Sequence, residues 1–155
     1  MNKQCSNDSD HIELKMPADP EYLSAARGLV RAVAQLVGLD ETDAGNVTLA
    51  VVEALTNVIR HSYGGPCSQP IILTLTKTEP ASDKPAALTI SIRDFGAQVH
   101  PDTIKGRHLD DVKPGGLGVH IIKSVMDEAE YSPADDGGMQ LRMAKYLIDK
   151  ETCKQ

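Results

Sequence analysis

The stretch TLAVVEALTNVIRHSYGG, residues 48–65, decides how this chain folds. Its polar positions Glu53, Asn57 and His61 are spaced four residues apart. Because an α-helix turns once per about 3.6 residues, these three side chains are predicted to stack along one side of a helix. Apolar positions of this segment and of the residue just before it recur at core-facing spacing and form the opposite stripe: Val47, Ala50, Val51, Ala54, Leu55 and Val58.

The polar row alone permits two interpretations. A carboxylate, an amide and an imidazole in line could hold a metal-bound nucleotide and move a proton. Alternatively, Glu53 is a solvated surface residue and His61 a cation near a helix C-terminus. Asn57 is harder to explain as surface, since Asn is a mediocre helix former whose amide competes for backbone hydrogen bonds.

Length and charge limit the possible functions. A chain of 155 residues is long enough for a single domain with a real core. The formal net charge of −6 argues against direct nucleic-acid binding, which normally needs a basic face, but it leaves basic protein partners open.

Cysteine use and the N-terminus indicate the compartment. The three cysteines (Cys5, Cys67 and Cys153) show no metal-ligand spacing and are interpreted as free thiols. The first ten residues are polar, unlike a signal peptide, and no apolar run approaches the ~20 residues of a membrane span. The chain is therefore predicted to be cytosolic, without a membrane association.

Periodicity and turn residues predict the order β-α-α-β-β-α-β-β. This order indicates an α/β two-layer sandwich, a mixed β-sheet with helices on one face. Residues 11–148 are assigned to one domain, with tails at 1–10 and 149–155. The predicted elements are strands at 11–16, 71–77, 87–93, 129–132 and 139–148, and helices from Asp19 to Gly38, from Asp40 or Thr42 to about His61, and over 117–128.

A second motif, Asp94-Phe95-Gly96, ends the third predicted strand. It spells the DFG of protein kinases, but the chain is too short for that fold and has no VAIK or HRD segment. An Asp at a strand end can instead accept a hydrogen bond from an adenine amino group, with Gly96 letting the base lie against the backbone. A plain strand-to-turn Asp-x-Gly explains the motif equally well when it is taken alone.

A third motif, Gly115-Gly116-Leu117-Gly118, precedes the last predicted helix. Glycines at such a place let backbone N–H groups approach phosphate oxygens. It is neither a Walker A loop, since no GK[ST] follows, nor a dinucleotide fingerprint, since Ile121 stands where the third Gly is needed. The long aperiodic segment before it is typical of a lid or binding loop.

Taken together, the three motifs resemble the N, G1 and G2 boxes of the GHKL, or Bergerat-fold, ATPases. The segments EALTNVIRH, RDFGAQVHP and GGLGVHIIKSVMDE are most similar to the small anti-sigma factor serine kinases of bacterial partner-switching systems. The similarity extends over about residues 11–148.

The resemblance implies a role for each motif residue. Asn57 would coordinate Mg²⁺ on the nucleotide phosphates, Glu53 would be the general base, and His61 would line the phosphate side. Asp94 would bind the adenine amino group, with Gly96 beneath the ring. Residues 100–115 would form the ATP lid. The glycine segment would wrap the β- and γ-phosphates of ATP or ADP, and its nucleotide-binding residues would be Gly115, Gly116, Leu117, Gly118 and Val119.

Two positions depart from the family pattern. The last box usually places Thr or Asn after a Gly at the start of the final strand, whereas Met139 follows Gly138 here. A hydroxyl or amide contact is therefore expected to be missing, with some loss of nucleotide affinity. Gln98 stands where many superfamily members have a second glycine.

The function implied by the resemblance is that of an ATP-dependent serine/threonine protein kinase and anti-sigma factor in the bacterial cytoplasm. It would hold a sigma factor or phosphorylate a Ser of a small anti-sigma-antagonist protein, and it would form a homodimer through an apolar face of the first helix. Two alternatives remain open: a non-catalytic nucleotide-binding partner-switch module, which Met139 favours, and a histidine-kinase-like catalytic domain. The second is disfavoured because no upstream helical segment presents a phosphoacceptor His.

Overall fold

The computed structural model describes residues 10–97 and 117–148, and both predicted tails and the predicted lid fall outside these ranges except for Asp10. Within them, no helix has the length and apolar character needed to cross a membrane. The described elements follow the predicted order: β1 (His11–Ala18), α1 (Leu23–Leu36), α2 (Glu41–Asn57), β2 (Cys67–Thr78), β3 (Ala87–Arg93), α3 (Leu117–Val125), β4 (Glu128–Pro133) and β5 (Met139–Tyr146).

The five described strands form one sheet in the order β1-β2-β3-β5-β4. The predicted α/β two-layer class is confirmed, but the prediction of a mixed sheet was wrong because every neighbouring pair is antiparallel. The connection from β3 through α3 leads to β4, which lies two strand positions away from β3. The chain then turns back, and β5 fills the position between β3 and β4. The parallel strands β3 and β4 are thus separated by β5.

The hydrophobic core lies between the sheet and the helices. Alternate residues of the central strands point inward and have 0–2% of their surface exposed: Leu73, Leu75, Leu88, Ile90 and Ile92. Val47, Val51 and Leu55 of α2 are fully buried against them. Helix α2 packs against both α1 and α3. These contacts fix the position of its polar side, which lies opposite the buried residues, at the edge of the core.

Local residues account for the helix boundaries before the site. The Asp19 carboxylate accepts the N–H of Glu21 and caps a short 3₁₀ turn, Pro20–Tyr22, which leads into α1. Of the two predicted caps for α2, Asp40 is the one used, since its carboxylate accepts the N–H of Asp43 at 2.8 Å. Gly38, with φ of 108°, lets the chain leave α1.

The second helix differs from the prediction at its C-terminal end. The α-helix stops at Asn57, and a π-helical turn, Val58–Ser62, follows it. Its widened ring is closed by the N–H of Tyr63, which donates to the C=O of Val58 five residues earlier at 3.2 Å. The regular four-residue stacking predicted from Glu53 to His61 therefore holds only as far as Asn57.

The third helix also ends earlier than predicted, at Val125 rather than near Glu128. The Lys145 ammonium donates to the Val125 carbonyl at 2.9 Å, so a side chain of β5 satisfies the end of the helix. The next residues then enter the sheet, because the N–H of Asp127 donates to the Ala144 carbonyl.

Candidate functional site

Glu53 and Asn57 lie against the first described turn of α3. Gly118 is buried there, and a methyl group at this position would lie 3.1 Å from Oε2 of Glu53 and 3.2 Å from Nδ2 of Asn57. The two polar side chains, both half-buried, therefore pack so tightly on Gly118 that a side chain there would displace them by a few tenths of an ångström. The structure thus brings together the first and third sequence motifs.

Asp94 is a buried carboxylate at the end of β3, with 3% of its surface exposed. Its Oδ1 accepts the N–H of Gly96 at 3.0 Å and, more weakly, the N–H of Met139 at 3.4 Å. Its Oδ2 accepts the hydroxyl of Ser62 at 3.2 Å. Donors from three different segments offset the desolvation of this carboxylate and fix its orientation.

Two glycines let the backbone close around Asp94. A side chain at Gly96 would overlap the backbone carbonyl of Ser62, and one at Gly138 would overlap the carbonyl of Asp94. Gly138 also has a φ of 72°, which L-residues rarely adopt. Both positions therefore require glycine if the π turn, the end of β3 and the start of β5 are to meet.

Arg93 is a site residue that the sequence analysis did not single out. Its guanidinium donates to the Gly137 carbonyl at 2.6 Å and also reaches the Asp136 carboxylate and the Asp94 carbonyl. It lies 4.3 Å from the centre of the Phe95 ring, in a cation–π arrangement. Arg93 therefore ties the β4–β5 turn to the strand end that carries Asp94.

Tyr63 is a second such residue. Its hydroxyl accepts the N–H of Phe95 at 2.8 Å and donates to the Pro70 carbonyl at 2.7 Å, which joins the end of the π turn to the segment after β3 and to β2. Burial raises the pKa of the Tyr63 phenol, the Phe95 hydrogen bond acts in the opposite direction, and the Asp94 charge adds to the increase. No pattern in the sequence marked either Arg93 or Tyr63, because each has a partner remote along the chain, Gly137 for Arg93 and Phe95 for Tyr63.

Of the remaining predicted site residues, some lie in the described part of the chain and others do not. His61 lies on the π turn and is exposed, whereas Val119 lies on α3 with a buried side chain. Leu117 begins the described part of α3. Gly115 and Gly116 lie outside the described residues.

The residues present fit a magnesium-bound nucleotide. An amide oxygen is a suitable ligand for Mg²⁺, which keeps several waters and takes other ligands from phosphates. In the described ranges, no group of three or more His, Cys, Asp or Glu side chains could hold a metal by itself. A metal at Asn57 would thus depend on the phosphates for its coordination.

The fold and these motifs define a histidine kinase-like ATPase. Residues 16–145 match the histidine kinase-like ATPase domain, and the chain belongs to this family. Among its relatives are proteins named serine-protein kinase RsbW. That of Staphylococcus aureus (strain MRSA252) is 31% identical over 146 residues, covering 89% of this chain and 87% of the relative. That of Bacillus subtilis (strain 168) is 28% identical over 153 residues and covers 94% of each chain.

Two solved structures share the fold. One contains the RsbU and RsbW domains of a Mycobacterium tuberculosis protein, with a TM-score of 0.60, 16% identity, and coverage of 90% of this chain and 33% of that one. The other is the SiaB–SiaC complex from Pseudomonas aeruginosa, with a TM-score of 0.62, 14% identity, and coverage of 86% and 88%. At these identities the likeness concerns the architecture alone.

Proposed function

We propose that this chain is an ATP-dependent serine/threonine protein kinase that also acts as an anti-sigma factor. The observation that carries the proposal is the packing of Glu53 and Asn57 against Gly118, since it puts a carboxylate and an amide beside the last residue of the glycine motif. The relatives named serine-protein kinase RsbW support the same reaction class. The proposed reaction is transfer of the γ-phosphoryl group of ATP to a serine hydroxyl of a protein.

The proposed nucleotide site has two parts. Asp94 accepts a hydrogen bond from the adenine amino group, and the backbone at Gly96 lies beside the base. Asn57 contributes its amide oxygen to Mg²⁺, with Gly115, Gly116 and Gly118 next to the phosphates and His61 at the edge of that region. The magnesium ion would neutralise part of the phosphate charge during transfer.

Glu53 is the proposed general base. Its carboxylate lies one helical turn before Asn57, and it is half-buried rather than fully solvated. In that place it would take the proton of the attacking serine hydroxyl as the phosphoryl group leaves ADP. Phosphoryl transfer otherwise requires mainly positioning and charge neutralisation, so this small set of side chains suffices.

The proposed partners are a sigma factor and a small anti-sigma-antagonist protein. Phosphorylation of the antagonist adds about −1.5 to −2 charges, and repulsion from a chain of net charge −6 would favour its release. The same acidity suits the sequestration of a basic surface of a sigma factor.

We expect the active form to be a homodimer. Leu36 near the end of α1 is 79% exposed, and Ile12 of β1 is 41% exposed. They line one groove together with Val33 and Val37, and an apolar groove of this kind suits a second copy of the chain. Leu36→Glu should give a monomer, which light scattering of the purified protein would detect.

The test of the proposed function is co-purification from the native cell followed by mass spectrometry. We expect a small partner whose serine becomes phosphorylated when the purified complex receives Mg-ATP. A stable partner that is never phosphorylated would instead identify a non-catalytic partner-switch module.

A further inference from the structure

Ser62 holds the Asp94 carboxylate from the side of the π turn. Its hydroxyl donates to Oδ2 of Asp94 at 3.2 Å, whereas the other carboxylate oxygen accepts the backbone N–H groups of Gly96 and Met139. The side-chain hydroxyl and the backbone donors therefore act on different oxygens. Among the described residues, Ser62 is the one whose side-chain hydroxyl donates to this carboxylate.

The π turn brings Ser62 to this position. Besides the hydroxyl contact, the Ser62 carbonyl accepts the N–H of Ala97 at 3.3 Å, and Gly96 packs directly on that carbonyl. Ser62 is thus attached to the 94–97 segment through both its backbone and its side chain. The α-helical pattern expected from the sequence puts His61 next to Asn57 on the polar row, whereas His61 is exposed on the π turn.

The hydrogen bond from Ser62 to Asp94 gains importance from the residue at position 139, which is Met. Its side chain is buried, with 4% exposed, and it carries no hydroxyl or amide, so the Asp94 carboxylate receives only its backbone N–H, at a long 3.4 Å. The Met139 carbonyl accepts the backbone N–H of Asp94 at 3.0 Å, which does not involve the carboxylate. A hydroxyl donor expected from the start of β5 is absent. Ser62 offers one from the π turn that follows α2.

We propose that Ser62 is a positioning residue for adenine recognition, orienting Oδ2 of Asp94 toward the exocyclic amino group of the base. The proposal rests on the proposed function, in which Asp94 binds adenine. Ser62 would act through Asp94 and would not touch the phosphates. It therefore determines which base is preferred and leaves the phosphoryl-transfer step itself unchanged.

The test compares the binding of two nucleotides, ATP and purine riboside triphosphate, which lacks the amino group. In the full chain, Ser62→Ala should weaken ATP binding by about five-fold, the loss of one ordinary hydrogen bond, and leave purine riboside triphosphate binding unchanged. Ser62→Thr should restore the ATP affinity, because it keeps the hydroxyl. In an Asp94→Asn background, Ser62→Ala should have no further effect.

The matched control is Ser91→Ala. Like Ser62, Ser91 is half-buried and its hydroxyl has one hydrogen-bond partner, Gln140. Ser91, however, lies on the face of the sheet that points away from the helices. This variant should bind both nucleotides like the wild type. Equal weakening of both nucleotides by Ser62→Ala, or unchanged ATP binding, would overturn the Ser62 proposal while leaving the nucleotide site in place. A wild-type chain that binds neither nucleotide would overturn both proposals.

Discussion

Gly118 and Asn57 lie so close together that a methyl group on the glycine would come within 3.2 Å of the asparagine amide nitrogen. They are 61 positions apart in the chain and belong to two packed helices, α2 and α3. This contact connects the polar row of one helix to the last residue of the glycine motif, and it motivates the first three predictions.

Glu53→Gln should abolish phosphate transfer while ATP binding stays nearly intact. The amide keeps the size of the carboxylate but cannot take a proton, and loss of a general base lowers rates by about 100-fold or more. The measurement is a single-turnover transfer assay with the co-purified partner, alongside ATP titration. Glu130→Gln, an exposed change on β4, serves as the control. If Glu53→Gln transfers phosphate as fast as wild type, Glu53 is not the base.

Asn57→Ala should remove the magnesium dependence of ATP binding. The wild type is expected to bind ATP more tightly with Mg²⁺ than with EDTA, because the ion links the amide to the phosphates, and the variant should bind equally under both conditions. Calorimetric titration in the two buffers measures the difference. Asn46→Ala, on the exposed side of the same helix, should behave like the wild type. Equal wild-type affinities with and without the ion would contradict the role of Asn57.

Gly118→Ala should reduce phosphate transfer by about ten-fold or more, since displacement of positioned groups by a fraction of an ångström is costly to catalysis. The thermal stability should change little, because alanine's helix preference of about 1 kcal/mol offsets the crowding of Glu53 and Asn57. Gly28→Ala in α1 is the control: apart from its chain neighbours and the backbone of its own helix, no atom would lie within 4 Å of its methyl group. Stability should therefore rise by about 0.5–1 kcal/mol with activity unchanged. Full activity in Gly118→Ala would show that the close contact is not required.

Ionisation of the Tyr131 phenol should lower the stability of the fold at alkaline pH. Burial raises the pKa of its phenol from 10.0 to about 12. The unfolded chain therefore loses this proton first, so the stabilisation is complete below pH 10 and is lost as pH rises toward about 12. Tyr131→Phe should flatten this decline in the free energy of unfolding, measured by urea titration at several pH values. Identical declines in the two proteins would contradict the assignment.

Much of the architecture follows from local patterns. The alternation of Leu88, Ile90 and Ile92 and the helical spacing of Val47, Val51 and Leu55 predict the elements and their buried faces, and the structure confirms both. The antiparallel arrangement could not be predicted this way. It depends on which strand fills the position that the α3 crossover skips, and no periodicity encodes that choice.

The candidate site also contains residues that local patterns predict and residues that only the fold brings together. Glu53, Asn57, Asp94 and the glycines were recognisable because each belongs to a short motif whose chemistry is carried by neighbouring residues. Arg93, Tyr63 and Ser62 were not, because each has a partner in a distant segment: the 136–139 turn for Arg93, Phe95 for Tyr63 and Asp94 for Ser62. The amino-acid sequence by itself determined the elements, the polar row and the family motifs, since these depend on spacing along the chain. Only the tertiary structure decided that a π turn replaces the last helical turn and aims Ser62 at Asp94, because that turn is held by contacts that exist once the sheet has formed.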